Sequence, residues 1–137
     1  MLKKTLFLFT IITFLNCSDN SLPENCLRPV FVEMNKNLDL PEFNSLVIGN
    51  AVEITGGAKG ILIFRKSTDE YAAYDRICPT NSCNTAMIYE NRLLKCSCDG
   101  ASYSVDFGGA SQTEDFICPA IEYRAIKRGS LLSITNF

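Results

Sequence analysis

"YAAYDRICPTNSCNTAMIYENRLLKCSCDGASYSVDFGG", residues 71–109, alternates short strand-like runs with two cysteine-bearing segments. "YAAYD", "TAMIY", "RLLK" and "ASYSVDF" are brief runs rich in aromatic and aliphatic residues, bounded by turn residues such as "EN" and "GG". Between them lie "CPTNSC" (78–83) and "CSCDG" (96–100). A Cys-x-Cys pair ending in Asp-Gly at a strand end looks like a metal loop, yet the chain contains no histidine.

The same pattern extends in both directions. Upstream, "PVFVEMN" alternates, "LPEF" turns the chain, and "SLVIG" and "AVEIT" read as strands. The Gly-rich turn "GGAKG" precedes the apolar run "ILIF". Downstream, "IEYRAI", the turn "KRGS" and "LLSI" close the chain. No window of helical length carries a 3.6-residue apolar period, so the expected class is all-β, built from small antiparallel sheets. Phe64, Tyr74, Tyr103 and Phe107 fall on strand positions and are expected to fill the core.

Several chemistries are excluded. "GGAKG" shares only glycines with a phosphate-binding loop, which needs Gly-Lys-Ser/Thr opening a helix. Without histidine there is no Ser-His-Asp or Cys-His nucleophile and no histidine-ligated zinc. The acidic pairs Asp69–Glu70 and Glu114–Asp115 sit in turn-like segments and read as solvated charges. No catalytic set is recognisable.

At 137 residues the chain has room for one compact domain, and not all of it belongs there. "MLKK" followed by "TLFLFTIITFL" is a basic segment and an apolar run of about a dozen residues, too short to span a bilayer and suited to export. It ends at Cys17. This resembles a bacterial lipoprotein signal, although Phe14, Leu15 and Asn16 depart from the usual residues before the lipidated cysteine. The expected organisation is a signal peptide at 1–16, a lipidated Cys17 with a polar tether over 17–25, and a domain over 26–137. Cleavage to a soluble secreted form is the first alternative and a retained anchor helix the last. Without Lys3 and Lys4, 11 basic residues face 15 acidic ones, and no Lys/Arg cluster points to nucleic acid. The expected location is the cell envelope, lipid-anchored, where disulfides persist. Of seven cysteines, Cys17 aside, six remain: Cys26, Cys78, Cys83, Cys96, Cys98 and Cys118. An even number in an exported domain first reads as staples of undetermined connectivity.

From Cys26 to Phe137, and most strongly from Tyr71 onward, the chain resembles the Rieske [2Fe–2S] domain. That family carries Cys-x-His in one loop and Cys-x-x-His in a second. Here Cys78-x-Thr80 and Cys96-x-x-Asp99 fall on that frame. "CSCDGASYSVDFGG" is similar to the family's C-P-C-H-G-S-x-F-D-x-x-x-G, and "CPAIEYRAIKRGSLLSI" to its C-terminal segment. The resemblance implies a Rieske-like fold with two cysteine-bearing loops. It places Cys78 and Cys96 at the cluster-cysteine positions and Thr80 and Asp99 at the histidine positions. Cys83 and Cys98 fall on the two cysteines that form a disulfide in the respiratory members.

Thr80 and Asp99 speak against a standard cluster. A threonine hydroxyl is a poor iron ligand, and a carboxylate is a hard donor ill-matched to a sulfide cluster. Two readings remain for the four loop cysteines. In the first, no metal is bound: Cys83–Cys98 keeps the family bridge, Cys78 pairs with Cys96, and Cys26 with Cys118. In the second, Cys78, Cys83, Cys96 and Cys98 together hold a [2Fe–2S] cluster in atypical ligation, or zinc. The first makes the protein an envelope binding or interaction module without cofactor; the second makes it an electron carrier beside redox partners. In either case the membrane is a partner through the lipid anchor.

Cys17→Ser is expected to release the protein from the membrane fraction or leave it unprocessed, because several acyl chains at ~0.8 kcal/mol per buried CH2 anchor firmly. Unchanged mass and unchanged fractionation would remove the lipid from the account.

Overall fold

The computed structural model describes residues 25–80 and 83–137. The signal segment 1–16, Cys17 and the tether to residue 24 lie outside the described residues. Among those described, ten strands run in order: β1 (Glu33–Asn37), β2 (Ala51–Ile54), β3 (Ile61–Arg65), β4 (Tyr71–Asp75), β5 (Ile88–Glu90), β6 (Leu93–Lys95), β7 (Ser102–Ser104), β8 (Ala110–Ser111), β9 (Glu122–Arg128) and β10 (Leu131–Thr135). They form a six-stranded sheet in the order β1-β10-β9-β4-β3-β2 and a four-stranded sheet in the order β5-β6-β7-β8. Every pairing is antiparallel. The molecule therefore has the all-β fold of small antiparallel sheets with two cysteine-bearing loops.

The run "ILIF" explains how the layers stack. A strand exposed on one face alternates, whereas one covered on both faces is apolar throughout. Ile61, Leu62, Ile63 and Phe64 all have 0% exposure. Ile61 and Ile63 face a core with Ala73, Tyr123, Leu132, Ile134 and Val32. Leu62 and Phe64 face the opposite core, with Tyr74, Met87, Leu94, Tyr103 and Val105. The four-stranded sheet covers this second face, so β3 and β4 form the middle layer. Tyr74 donates its hydroxyl to Val105 O at 3.0 Å, tying that layer to the smaller sheet. Arg76 does the same through Nε to Met87 O (3.0 Å) and pairs with Glu53 on β2.

Turn chemistry sets the register. β5 and β6 are joined by Asn91 and Arg92, both at positive φ (52° and 63°), the conformation a two-residue hairpin loop requires. Gly129 at φ 61° serves the β9–β10 hairpin.

Asp75, the last residue of β4, is fully buried. Its carboxylate accepts the N–H groups of Ala58 (2.6 Å), Lys59 (3.1 Å) and Ile77 (3.0 Å), and the hydroxyl of Tyr123 (2.9 Å). A buried carboxylate is tolerable only when hydrogen-bonded to this extent. Gly57, at φ 60°, packs so closely on this carboxylate that a Cβ there would collide with it. "GGAKG" does cradle an anion through its amides, but the anion is the protein's own side chain. Burial first, and then the hydrogen bond to Asp75 and its charge, raise the Tyr123 phenol well above its ordinary value.

Two expectations are corrected. "SLVIG" is not a strand: Leu46 N–H bonds to Phe43 O and Asn50 N–H to Val47 O, so the segment coils through successive turns and leaves Val47 and Ile48 exposed. Phe107 lies in the turn between β7 and β8 and is 74% exposed, outside the core that Phe64, Tyr74 and Tyr103 do fill.

Asp75→Asn keeps the volume but turns an amide donor towards donors. Expected is a loss of about 3 kcal/mol, from charge-assisted hydrogen bonds and stranded N–H groups. For a domain of this size that lowers the melting point by roughly 10 °C or more in thermal unfolding. A melting point within about two degrees of the parent, well inside the shift per kcal/mol, would rule out the carboxylate as a structural hub.

Candidate functional site

The first loop leaves β4 directly after Asp75. Ile77 N–H is held by that carboxylate, Cys78 is next in the chain, and Pro79 O accepts the N–H of Leu27 at 3.0 Å, so the start of the domain lies against the loop. The second loop, between β6 and β7, is a closed turn: Cys96 N–H donates to Ala101 O (2.8 Å) and Gly100 N–H to Cys96 O (3.0 Å). Gly100 takes φ 74°, which suits glycine.

The loops meet through sulfur. Cys78 is bonded to Cys96 and Cys83 to Cys98, with Cα separations of 5.7 and 5.4 Å. A third bridge, Cys26–Cys118, has its Cα atoms 5.4 Å apart. The two loop bridges lie side by side, and the sulfurs of Cys78, Cys83 and Cys96 are all within 4.8 Å of one another. Cys78 (0%), Cys96 (1%) and Cys83 (3%) belong to the core that includes Leu94, Tyr103 and Phe64, whereas Cys98 is exposed.

Thr80 and Asp99 are both half-buried. Asp99 Oδ1 accepts the N–H of Ala101 at 2.9 Å, so the carboxylate shapes the second loop from within. Tyr103, on β7, has a buried hydroxyl without a hydrogen-bond partner among the described residues. Burial chiefly, with the charge of Asp99 adding to it, pushes its phenol up to about 12.

This donor set does not fit a Rieske cluster. Iron needs thiolates at Cys78 and Cys96, and those sulfurs are bonded to each other. An oxygen of Asp99 is engaged by the backbone of its own loop, and Thr80 brings only a neutral hydroxyl. The alternative set of Cys78, Cys83, Cys96 and Cys98 requires both bridges to open first.

Two neighbours that sequence reading passes over surround Cys83. Thr85 Oγ1 lies 3.1 Å and Ser97 Oγ 3.6 Å from its sulfur, and the two hydroxyls are 3.1 Å apart. Single hydroxyls in polar loops carry no pattern that would mark them. Elsewhere, an apolar groove of about 290 Å³ runs beside the third bridge, lined by Cys26, Leu27, Pro29, Pro119, Ile121 and Phe137.

No protein-family model and no curated protein matches the chain. Among solved structures it is similar to the ferredoxin of carbazole 1,9a-dioxygenase from Nocardioides aromaticivorans IC177. Identity is 15%, coverage 81% of this chain and 100% of that one, and the TM-score 0.49. It is also similar to a chain in the complex of reduced oxygenase and oxidized ferredoxin in carbazole 1,9a-dioxygenase (12% identity, 77% and 92% coverage, TM-score 0.47). The E. coli protein NirD is a third (15% identity, 74% and 96% coverage, TM-score 0.44). At these identities and scores none of them lends its function to this chain.

Loop length orders the bridges by their effect on stability. Cys83–Cys98 spans 15 residues and Cys26–Cys118 spans 92. Chain entropy assigns about 3 kcal/mol to the shorter loop and about 4.7 kcal/mol to one near the longer length. Replacing both cysteines of a pair by Ser is therefore expected to cost more at Cys26/Cys118 than at Cys83/Cys98, by about 1.5 kcal/mol in urea unfolding. The reverse order would show that the stabilisation arises elsewhere than in loop closure.

Proposed function

We propose that the protein is a disulfide-stapled module of Rieske-like fold, held on the cell envelope by a lipid at Cys17, that binds an envelope protein and carries no cluster. The observation behind this reading is the Cys78–Cys96 bridge, which occupies the two cluster-cysteine positions with a bond between them. Sulfur in that state is neither a thiolate nor a metal ligand. Thr80 and Asp99 bring no imidazole to replace it. The bridges instead make the two loops a fixed surface. Phe31, Phe107, Ile117 and Phe137 are exposed apolar side chains available to a partner.

A second reading draws on a different observation. With both bridges open, the sulfurs of Cys78, Cys83 and Cys96, already within 4.8 Å of one another, would form a compact thiolate set. Together with Cys98 they would hold an all-cysteine cluster, and the protein would be an electron carrier.

Analysis of the purified mature protein for iron, zinc, acid-labile sulfide and thiols after denaturation separates the two. Expected are colourless protein, no stoichiometric metal and no titratable thiol. Stoichiometric iron and sulfide, lost on Cys78→Ser or Cys96→Ser, would overturn the module reading and establish the carrier.

A further inference from the structure

We propose that the paired loop bridges form a thiol–disulfide exchange site for dithiols. In it Cys98 is the surface sulfur, Cys83 the relay sulfur, and the buried Cys78–Cys96 bridge the internal acceptor. The proposal rests on the metal-free, disulfide-bonded state of the preceding reading and adds an activity to it.

Accessibility sets the direction. A thiolate must reach the sulfur it attacks and approach along the extended S–S axis. Among these four cysteines only Cys98 is exposed; Cys83, Cys96 and Cys78 are 3%, 1% and 0% exposed. An external dithiol can therefore reach the outer bridge at Cys98 but not the inner one. Attack there expels Cys83.

The surroundings of Cys83 suit a leaving thiolate. A disulfide sulfur carries no proton, so in the contacts of Thr85 (3.1 Å) and Ser97 (3.6 Å) with Cys83 the hydroxyls are the donors. Hydroxyls already aimed at the sulfur stabilise the thiolate as it forms, and a stabilised thiolate leaves faster. Two hydroxyls hold two protons for three contacts, so with both aimed at the sulfur their 3.1 Å approach to each other carries no hydrogen bond of its own.

The expelled sulfur has a second target within reach. Cys83 Sγ lies within 4.8 Å of both Cys78 Sγ and Cys96 Sγ, on the buried side. The first thiolate of the dithiol bonds to Cys98 and releases Cys83 as thiolate. The second thiol of the reagent resolves that mixed disulfide, leaving as a disulfide and freeing the Cys98 thiol. Cys83 then attacks Cys78 or Cys96, forming a new bridge and releasing the other inner sulfur. Cys98 attacks Cys83, restores the outer bridge and frees the second inner thiol. The net transfer is two electrons and two protons from the dithiol to Cys78 and Cys96.

Dithiothreitol serves as the probe on the purified, oxidised, metal-free mature protein, with acid quenching, alkylation and mass mapping of each cysteine. In the natural protein Cys78 and Cys96 are expected to become alkylatable on the timescale of outer-bridge opening. In Cys83→Ser/Cys98→Ser, with circular dichroism confirming the fold, access to the inner bridge is lost and its reduction slows at least about tenfold. Equal rates in the two proteins would overturn the relay. Cys98→Ser alone gives an independent measurement without reductant. Its Cys83 thiol is expected to exchange into a Cys83–Cys78 or Cys83–Cys96 bridge, with the displaced inner thiol alkylated. Cys83 as the only alkylated residue beside an intact inner bridge would overturn the proposal whatever the double variant does. Because both assays follow thiols in metal-free protein, their failure leaves the preceding reading standing.

Discussion

The carboxylate of Asp75 is the point on which the rest of the molecule converges. It sits at the end of the middle layer, where β4 gives way to the first cysteine loop, and takes hydrogen bonds from three separate parts of the chain. The Gly-rich turn before β3, the start of the loop and a tyrosine on β9 are all oriented by one side chain. Hydrogen bonds to a charged group are stronger than neutral ones, and a buried charge left short of donors is costly. The arrangement is accordingly intolerant of partial satisfaction. Because Cys78 is the residue directly after Ile77, the position of its sulfur is tied to that hub.

From there the sulfur chemistry is a matter of nearness. Two loops brought together by two small antiparallel hairpins put four sulfurs in one place, three of them inside the core. The same closeness that would serve a metal serves a covalent bond once thiolates are oxidised. The bridged site is built as an inner and an outer layer: apolar surroundings close over Cys78–Cys96, while hydroxyls and solvent meet Cys83–Cys98. Asp99 belongs to the loop's own architecture through Ala101.

Much of the fold is legible in the sequence because its signals are local. "ILIF" is apolar on consecutive residues because both faces of β3 are covered, and the turn at Asn91–Arg92 joins β5 to β6 where "EN" marks it. The cysteine frame is legible because spacing along the chain is enough to relate it to a known loop pair. What escapes is long-range or solitary. Asp75 looks like any acidic residue ending a strand; its donors lie up to 48 residues away. Thr85 and Ser97 gain meaning only from the sulfur between them. "SLVIG" has the composition of a strand, but among the described residues it joins no strand ladder, and its one backbone bond to a strand is at its end, from Gly49 N–H to Arg65 O on β3. Phe107 reads as core through its alternation with Tyr103, and that alternation ends where β7 ends, at Ser104.

The bridge between Cys26 and Cys118 has a mechanical consequence. It joins the first described turn of the domain to the segment just before β9, enclosing β1 to β8 in one covalent loop. Tension applied between the N-terminal end and the last two strands would pass through that bond and bypass everything between. Only the residues after Cys118 would bear the load. The sulfur loops and Asp75 itself lie inside the bypassed segment, so a pull along that line does not reach them through the backbone; it reaches the carboxylate only through the hydroxyl of Tyr123, which lies beyond Cys118.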